Sequence, residues 1–208
     1  MFIEFALKSE VLKFGEFTLK SGRISPYFFN AGLFNSGNQL ATLANYYAKK
    51  ITQSNIKYDV LFGPAYKGIP LVAAISTVLA LKYNIDIPYA FDRKEAKAHG
   101  EGGIFVGTDM TDKKILLVDD VMTAGTAFHE SYNKLKTINA EIAGVVLSID
   151  RQEKAKDSDI SATKKISQDF NIPVLAVTNF ESIFEYVKEN LNEEMINKFK
   201  NYRKKHGS

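Results

Sequence analysis

The chain contains no cysteine, which excludes disulfides and thiolate-bound metal from its chemistry. No run of apolar residues is long enough to cross a bilayer, and a hydrophobic fraction of 45% beside 25% charged residues is ordinary for a globular protein. The opening "MFIEFALKSE" lacks the basic, apolar, small-residue order of a secretory signal, so a cytoplasmic protein without membrane association is expected. Internal repeats, low-complexity tracts and linkers rich in proline or serine are absent too, so the chain does not read as a repeat array. No strong basic field is present. The net charge is +3, and much of the excess lies in the C-terminal "KFKNYRKKH", where cations suit the negative end of a last helix. With neither a broad basic face nor a helix-turn-helix pattern, nucleic acid is not an expected partner. At 208 residues the chain can build one full core, and a single domain is expected, with residues 1–35 as an appendage to a core of 36–208.

What is present is an alternation of two patterns. Helical periodicity is clearest in "SGNQLATLANYYAKKITQSN", where Leu40, Leu43, Ala44, Tyr47 and Ile51 share one face after a Ser36 cap. Short apolar runs recur at intervals: "YDVLF", "PYAF", "KILLV", "IAGVVLSI" and "PVLAVT". Most lead through a loop into a helix-like segment such as "IPLVAAISTVLALKY", "GTAFHESYNKLKTIN" or "ESIFEYVKEN". The pattern predicts an α/β fold with a central, mostly parallel sheet flanked by helices, in which ligands bind beyond the carboxyl ends of the strands. Residues 14–32, "FGEFTLKSGRISPYFFNAG", break the alternation and read as a hairpin attached to the N-terminal helix. Residues 93–109, "RKEAKAHGEGGIFVGTD", are polar and glycine-rich, and read as a long loop of the kind that serves as a lid.

The densest chemical signal is "ILLVDDVMTAGTA" at residues 115–127. The strand is expected to end near Val118 and a helix to start near Gly125. Backbone N–H groups of residues 123–126, with the hydroxyls of Thr123 and Thr126, can surround a terminal phosphate at the positive end of that helix. Asp119 and Asp120 would repel a bare phosphate, yet carboxylates accept well from the vicinal hydroxyls of a ribose that carries one. A sugar phosphate satisfies both halves of the run. A second strand is followed by "FGPAYKG", whose glycines let backbone approach an anion and whose Lys67 adds charge, although a plain turn reads nearly as well. In the lid, Arg93, Lys94, Lys97 and His99 cluster beside glycines, as suits a highly charged leaving group that must be shielded and then released.

A ribose 5-phosphate with a strongly anionic leaving group describes 5-phosphoribosyl 1-pyrophosphate, PRPP. The run "ILLVDDVMTAGTA" resembles the PRPP motif of the type I phosphoribosyltransferases. "FTLKSGRISPYFFNAGLF", "LFGPAYKGIPL", "RKEAKAHGEGG", "LLVDDVMTAGTA" and "DRQE" occur in the order found in the orotate-using family of bacterial and fungal kind. The resemblance runs from Phe2 to about Glu153 and is loose beyond it. It implies the type I phosphoribosyltransferase fold, with an N-terminal hood made of a helix and a hairpin. It further implies that Lys20 reaches PRPP from the hairpin, that Phe28 and Phe29 lie against orotate, and that Tyr66 and Lys67 hold the pyrophosphate end. Arg93, Lys97 and His99 also contact PRPP, and Lys94 is supplied to the site of a neighbouring subunit, so a homodimer sharing loop 93–109 is implied. Asp119, Asp120, Val121, Met122, Thr123, Ala124, Gly125, Thr126 and Ala127 hold the ribose phosphate, with Thr123 also near orotate. Arg151 pairs with the orotate carboxylate, for which a planar guanidinium is suited in bidentate fashion.

The implied reaction moves phosphoribose from PRPP to N1 of orotate, with inversion at the anomeric carbon and release of pyrophosphate. Mg²⁺ is expected to arrive with PRPP, with Asp119 and Asp120 as the carboxylates near it, because no dedicated metal cluster is visible. Asp119 and Asp120 are assigned to the ribose and to the developing positive charge, and Lys20, Lys67, Lys94, Lys97 and His99 to the departing pyrophosphate and its surroundings. His129 reads as a surface residue, and Tyr46, Tyr47 and Phe128 as packing. Adjacent Phe28 and Phe29 cannot both stack on a base from one strand. Two rivals stand beside this reading: a purine phosphoribosyltransferase, which has no need of the "KSGRISPYFFNAG" hairpin, and a regulator built on the same fold.

Overall fold

A computed structural model of the chain describes residues 1–19, 21–97, 103–155 and 158–208, without the side chains of residues 96 and 97. The N-terminal part is helix α1 (Phe2–Lys8) and an antiparallel hairpin of β1 (Leu12–Thr18) and β2 (Ile24–Phe29). Helix α2 (Gly37–Thr52) leads into the central sheet, which contains β3 (Val60–Gly63), β4 (Tyr89–Lys97), β5 (Gly103–Gly107), β6 (Lys114–Val121), β7 (Glu141–Asp150) and β8 (Val174–Asn179). The strand order is β5-β4-β3-β6-β7-β8, parallel throughout except where β5 runs antiparallel to β4. Helices α3 (Gly68–Tyr83), α4 (Thr126–Lys136), α5 (Ala162–Phe170), α6 (Phe180–Asn190) and α7 (Glu193–His206) complete the chain.

The α/β expectation is met, and the reason shows in β7. Residues 144–149 of that strand are all buried, as in a strand covered on both faces, so its sequence is a continuous apolar run with little alternation. Two cores result. Leu61, Leu116, Val118 and Val146 point into one, while Val60, Phe62, Ile115, Leu117, Val145 and Leu147 point into the other, following the two-residue period of the strand. Helix α2 starts as expected, with the Ser36 hydroxyl accepting from the Gln39 N–H, and it buries Leu43, Ala44, Tyr47, Ala48 and Ile51.

The hairpin is fastened to the C-terminal helices by aromatic rings. Phe14 meets Phe199 at 5.9 Å and Tyr27 meets Phe199 at 5.7 Å, while Phe180 and Phe184 pack on the same ring. Each such pair contributes about 0.5–1.5 kcal/mol beyond the area it buries. The last turn of α7 carries Arg203, Lys204, Lys205 and His206, the expected cations at a helix C-terminus.

Two expectations need correction. Residues 93–109 are not one long loop: β4 continues through the polar "RKEAK" to Lys97, and β5 returns from Gly103, pairing Ala90 with Gly107 and Asp92 with Phe105. Antiparallel pairing up to Asp92 and again at Lys97, with an irregularity between, keeps the segment extended without an apolar pattern. Likewise β6 does not stop near Val118. It runs to Val121 because β7 keeps pairing with it, Asp119 opposite Leu147 and Val121 opposite Ile149.

Candidate active site

Three adjacent parallel strands set the geometry. Pairing of Phe62 with Leu117 and of Val121 with Ile149 brings the carboxyl ends of β3, β6 and β7 side by side. The "GPAYKG" loop, the "DDVMTAGT" turn and Arg151 therefore emerge along one rim of the sheet, where ligands of such sheets bind.

The two turns that lead into α3 and α4 differ from four other helix starts. Ser36, Ser161, Asn179 and Asn192 each cap a helix with a side-chain oxygen. Helices α3 and α4 have no side-chain cap. At α4 the capping position is Gly125 at φ 75°, a left-handed conformation that suits glycine, and the first backbone bond is His129 N–H to the Gly125 carbonyl at 3.0 Å. The N–H groups before His129 thus have no partner within the helix, as in an anion-binding turn.

The acid pair sits at the end of β6. Asp120 is buried; its Oδ2 receives Lys67 Nζ at 2.6 Å and its Oδ1 accepts from the Val121 N–H at 2.9 Å. Lys67 is half-exposed, so this contact links the two loops more than it stabilises the fold. Asp119 Oδ1 accepts only a local bond, from the Asp120 N–H at 2.8 Å. Burial, and then the neighbouring Asp120 carboxylate, push the Asp119 carboxyl up to about 7, against the opposing pull of the Asp120 N–H and Lys67. Beneath it the Tyr47 hydroxyl donates to the Asp119 carbonyl at 2.7 Å and shares a 2.6 Å bond with the Ser148 hydroxyl. Helical spacing identifies Tyr47 as a core residue; nothing in the sequence signals that its hydroxyl braces the acid pair.

In the "GPAYKG" loop the glycines face each other. A Cβ on Gly63 would lie 2.2 Å from the Gly68 carbonyl oxygen, so the loop closes backbone on backbone at its base. The Ala65–Tyr66 peptide is cis, and the Tyr66 side chain is exposed. Asp92, buried on β4, accepts from the Ala65 N–H at 2.6 Å and pairs with Lys134 of α4, tying the loop to the helix that carries the other turn. The two are 42 positions apart, and no local pattern in the sequence links them.

The hairpin reaches the same rim through Arg151. Its Nη2 donates to the Ser25 hydroxyl at 3.1 Å, and Nε donates to Glu153 Oε1 at 2.7 Å. The guanidinium lies over the Tyr27 ring at 4.3 Å. Burial opposes its charge, yet Tyr27, Glu153 and Tyr202 around it hold its pKa above the ordinary arginine value. Phe28 and Phe29 divide as strand geometry requires: Phe28 is exposed beside Phe17, and Phe29 packs against the core.

Elsewhere, Met122 is buried in the second core, Phe128 is buried, and Thr123, Ala124 and His129 are exposed. Lys94 Nζ stands 3.9 Å from Glu130 of α4, and Arg93 Nη1 donates to the Gly103 carbonyl at 3.3 Å. Lys20, His99 and the side chain of Lys97 lie outside the described residues. None of the helices among the described residues is long and apolar enough to cross a membrane.

A doubly flanked parallel sheet with a carboxylate pair beside two uncapped turns defines a phosphoribosyltransferase, and the family model for the phosphoribosyl transferase domain matches residues 34–177. An orotate phosphoribosyltransferase of Hahella chejuensis is 55% identical over 187 residues, covering 90% of this chain and 86% of the relative. Another from Vibrio parahaemolyticus is 52% identical over 207 residues, covering 99% and 96%. The crystal structure of orotate phosphoribosyltransferase from Francisella tularensis superposes with a TM-score of 0.94 at 84% identity, covering 100% of both chains. The chain belongs to the orotate phosphoribosyltransferase family, pentosyltransferases that make orotidine 5'-monophosphate from PRPP and orotate in pyrimidine biosynthesis.

Proposed function

We infer that this chain performs the family's reaction at the rim just described: C1' of PRPP loses its bond to pyrophosphate and gains one to N1 of orotate, with inversion. The observation that carries the reading is the Arg151 to Ser25 bond, which joins the hairpin to the strand beside the PRPP turn. A purine enzyme has no need of this hairpin, nor of Arg151 beyond a structural salt bridge such as the one to Glu153.

Residues 123–127 receive the 5'-phosphate on their backbone N–H groups and on the Thr123 and Thr126 hydroxyls. Asp119 and Asp120 receive the ribose hydroxyls. Asp119 is costly to ionise in the free protein, and it is relieved when hydroxyls donate to it and when the anomeric carbon becomes cationic, so its stabilisation is concentrated in the transition state. Tyr66 and Lys67 take the pyrophosphate end, joined by Lys20, Arg93, Lys97 and His99. The exposed Phe28 ring supplies the face for the pyrimidine, and Phe29 backs it from the core. For the orotate carboxylate, Arg151 has Nη1 outside the bonds to Glu153 and Ser25, so this nitrogen is the one to meet it, and a bidentate grip requires Nη2 to leave Ser25.

The donor set fits a cation carried by the substrate. Of the two carboxylates, Asp120 already holds Lys67, and no group of three metal-ligating side chains occurs among the described residues. Mg²⁺, when bound with PRPP, neutralises charge on the departing pyrophosphate.

A homodimer belongs to the same reading, with residues 93–109 shared across subunits and Lys94 serving the neighbouring site. Exposed Leu81, Ile85 and Tyr89, at the end of α3 and the start of β4, support an apolar surface for a second copy. Residues 1–35 act as a hood over the core of 36–208, and a cytoplasmic location suits PRPP, a phosphorylated substrate that does not cross membranes unaided. The test is pyrophosphate release from PRPP and Mg²⁺ with orotate, adenine, hypoxanthine, guanine or uracil offered singly. Turnover with orotate alone is expected; turnover with a purine discards the assignment of the hairpin and Arg151.

A further inference from the structure

Glu153 gathers bonds from three separate parts of the fold. Its Oε1 accepts from Arg151 Nε at 2.7 Å, lies 2.7 Å from Arg151 Nη2, and accepts from the Tyr202 hydroxyl of α7 at 2.8 Å. Its Oε2 faces Arg23 of the hairpin at 3.4 Å, and Arg23 Nη2 donates to the Lys154 carbonyl at 3.0 Å. The Glu153 side chain is 12% exposed and that of Arg151 8%, so water competes little for these bonds.

We propose that Glu153 is a positioning residue for orotate: with Tyr202 and Arg23 holding it, its carboxylate fixes the Arg151 guanidinium so that Nη1 faces the substrate carboxylate. This inference rests on the assignment of Arg151 to orotate. Arginine is long and flexible, and three constraints remove that freedom here. The Tyr27 ring sets the plane, Glu153 holds the Nε edge, and Ser25 takes an Nη2 hydrogen. What remains is a single donor nitrogen in a fixed direction, which is how preorganisation converts a flexible cation into a specific one. Charge counting agrees. Arg23 and Arg151 bring two positive charges to the one negative charge of Glu153, and the remaining positive charge matches the single carboxylate of orotate. Tyr202 also gives α7 a part in substrate recognition, although that helix lies beyond residues 34–177 of the transferase domain.

The test is steady-state kinetics of the full chain with both substrates varied, for Glu153→Gln, Tyr202→Phe and Arg151→Ala. Misaiming one anchoring group is expected to raise KM for orotate about 10- to 100-fold in Glu153→Gln, and a few-fold in Tyr202→Phe, with KM for PRPP within about twofold of the parent. A purely structural role would lower the folded fraction and so kcat, leaving the two KM values together. If Glu153→Gln fails to fold, Tyr202→Phe carries the same readout with the charge retained. An orotate KM raised by Arg151→Ala but untouched in the other two variants overturns the positioning role alone. An orotate KM untouched by Arg151→Ala overturns the Arg151 assignment and the proposal with it.

Discussion

Strand β6 enters α4 through residues 122–125, and β8 enters α6 directly at Asn179. Both strands belong to one parallel sheet and both helices start at its carboxyl rim. At β8 the Asn179 side chain accepts from the Ser182 N–H at 2.8 Å, and the helix start is satisfied by its own sequence. At β6 a left-handed Gly125 takes the capping position with no side-chain acceptor, and two acids stand just upstream. The first turn satisfies its own helix start; the second leaves backbone donors without a partner in the helix, beside an Asp119 carboxyl that burial makes costly to ionise. Two helix starts on one rim are thus built differently, one closed by its own side chain and one left open.

The largest effect should come from neutralising the open turn. Asp119→Asn or Asp120→Asn is expected to lower kcat/KM about 100- to 1000-fold, because stabilisation of the developing positive charge is lost. The melting temperature of Asp119→Asn should not fall, since an amide removes the burial penalty and the repulsion from Asp120. Pyrophosphate release and thermal melting, run on the same preparations, check both halves.

Next in size is Gly125→Ala. A Cβ there would lie 2.9 Å from Ile166 Cδ1 on a backbone at φ 75°, so a cost of about 1–2 kcal/mol is expected, with a raised KM for PRPP as the turn reshapes. Denaturant unfolding and PRPP kinetics read the two consequences separately.

A third effect concerns pH in the ligand-free protein. The Asp119 carboxyl is held near 7 when folded, above its unfolded value, so the folded state retains a proton that the unfolded state releases. The stabilising contribution is therefore fully present below the unfolded pKa and is lost as pH rises through about 7. Between pH 5 and 8 a fall on the order of 1–2 kcal/mol is expected relative to Asp119→Asn, which lacks the titration. The gap between the unfolding midpoints of the two proteins should widen as pH rises to about 7; a gap that stays constant across the range would mean that the shift is absent.

The smallest effect is expected at the closed turn. Asn179→Ala should cost about 1 kcal/mol of stability and leave orotate turnover unchanged. Lost turnover in a folded Asn179→Ala protein would erase the distinction between the two turns.

Much of this architecture is written locally. Apolar runs and the Ser36 cap locate strands and α2, and the "DDVMTAGT" run locates the open turn, because each depends on neighbours within a few residues. The extension of β4 through "RKEAK" is not legible, since it depends on pairing with β5 on either side of an irregularity, at Asp92 and Lys97, and not on its own pattern. The supports of the site are illegible for the same reason. Ser25 and Arg151 are 126 positions apart, Asp92 and Lys134 are 42 apart, and Tyr47 and Asp119 are 72 apart. Glu153 stands in the "DRQE" that carries the family resemblance, yet only folding shows that its partners are Arg23, Arg151 and Tyr202.

The most direct measurement is the backbone amide spectrum of the protein titrated with ribose 5-phosphate. An open α4 turn predicts large shifts at Thr123 to Phe128 and almost none at Phe180 to Ser182. Equal shifts at both turns, or none at the first while the sugar phosphate binds, would contradict the division between them.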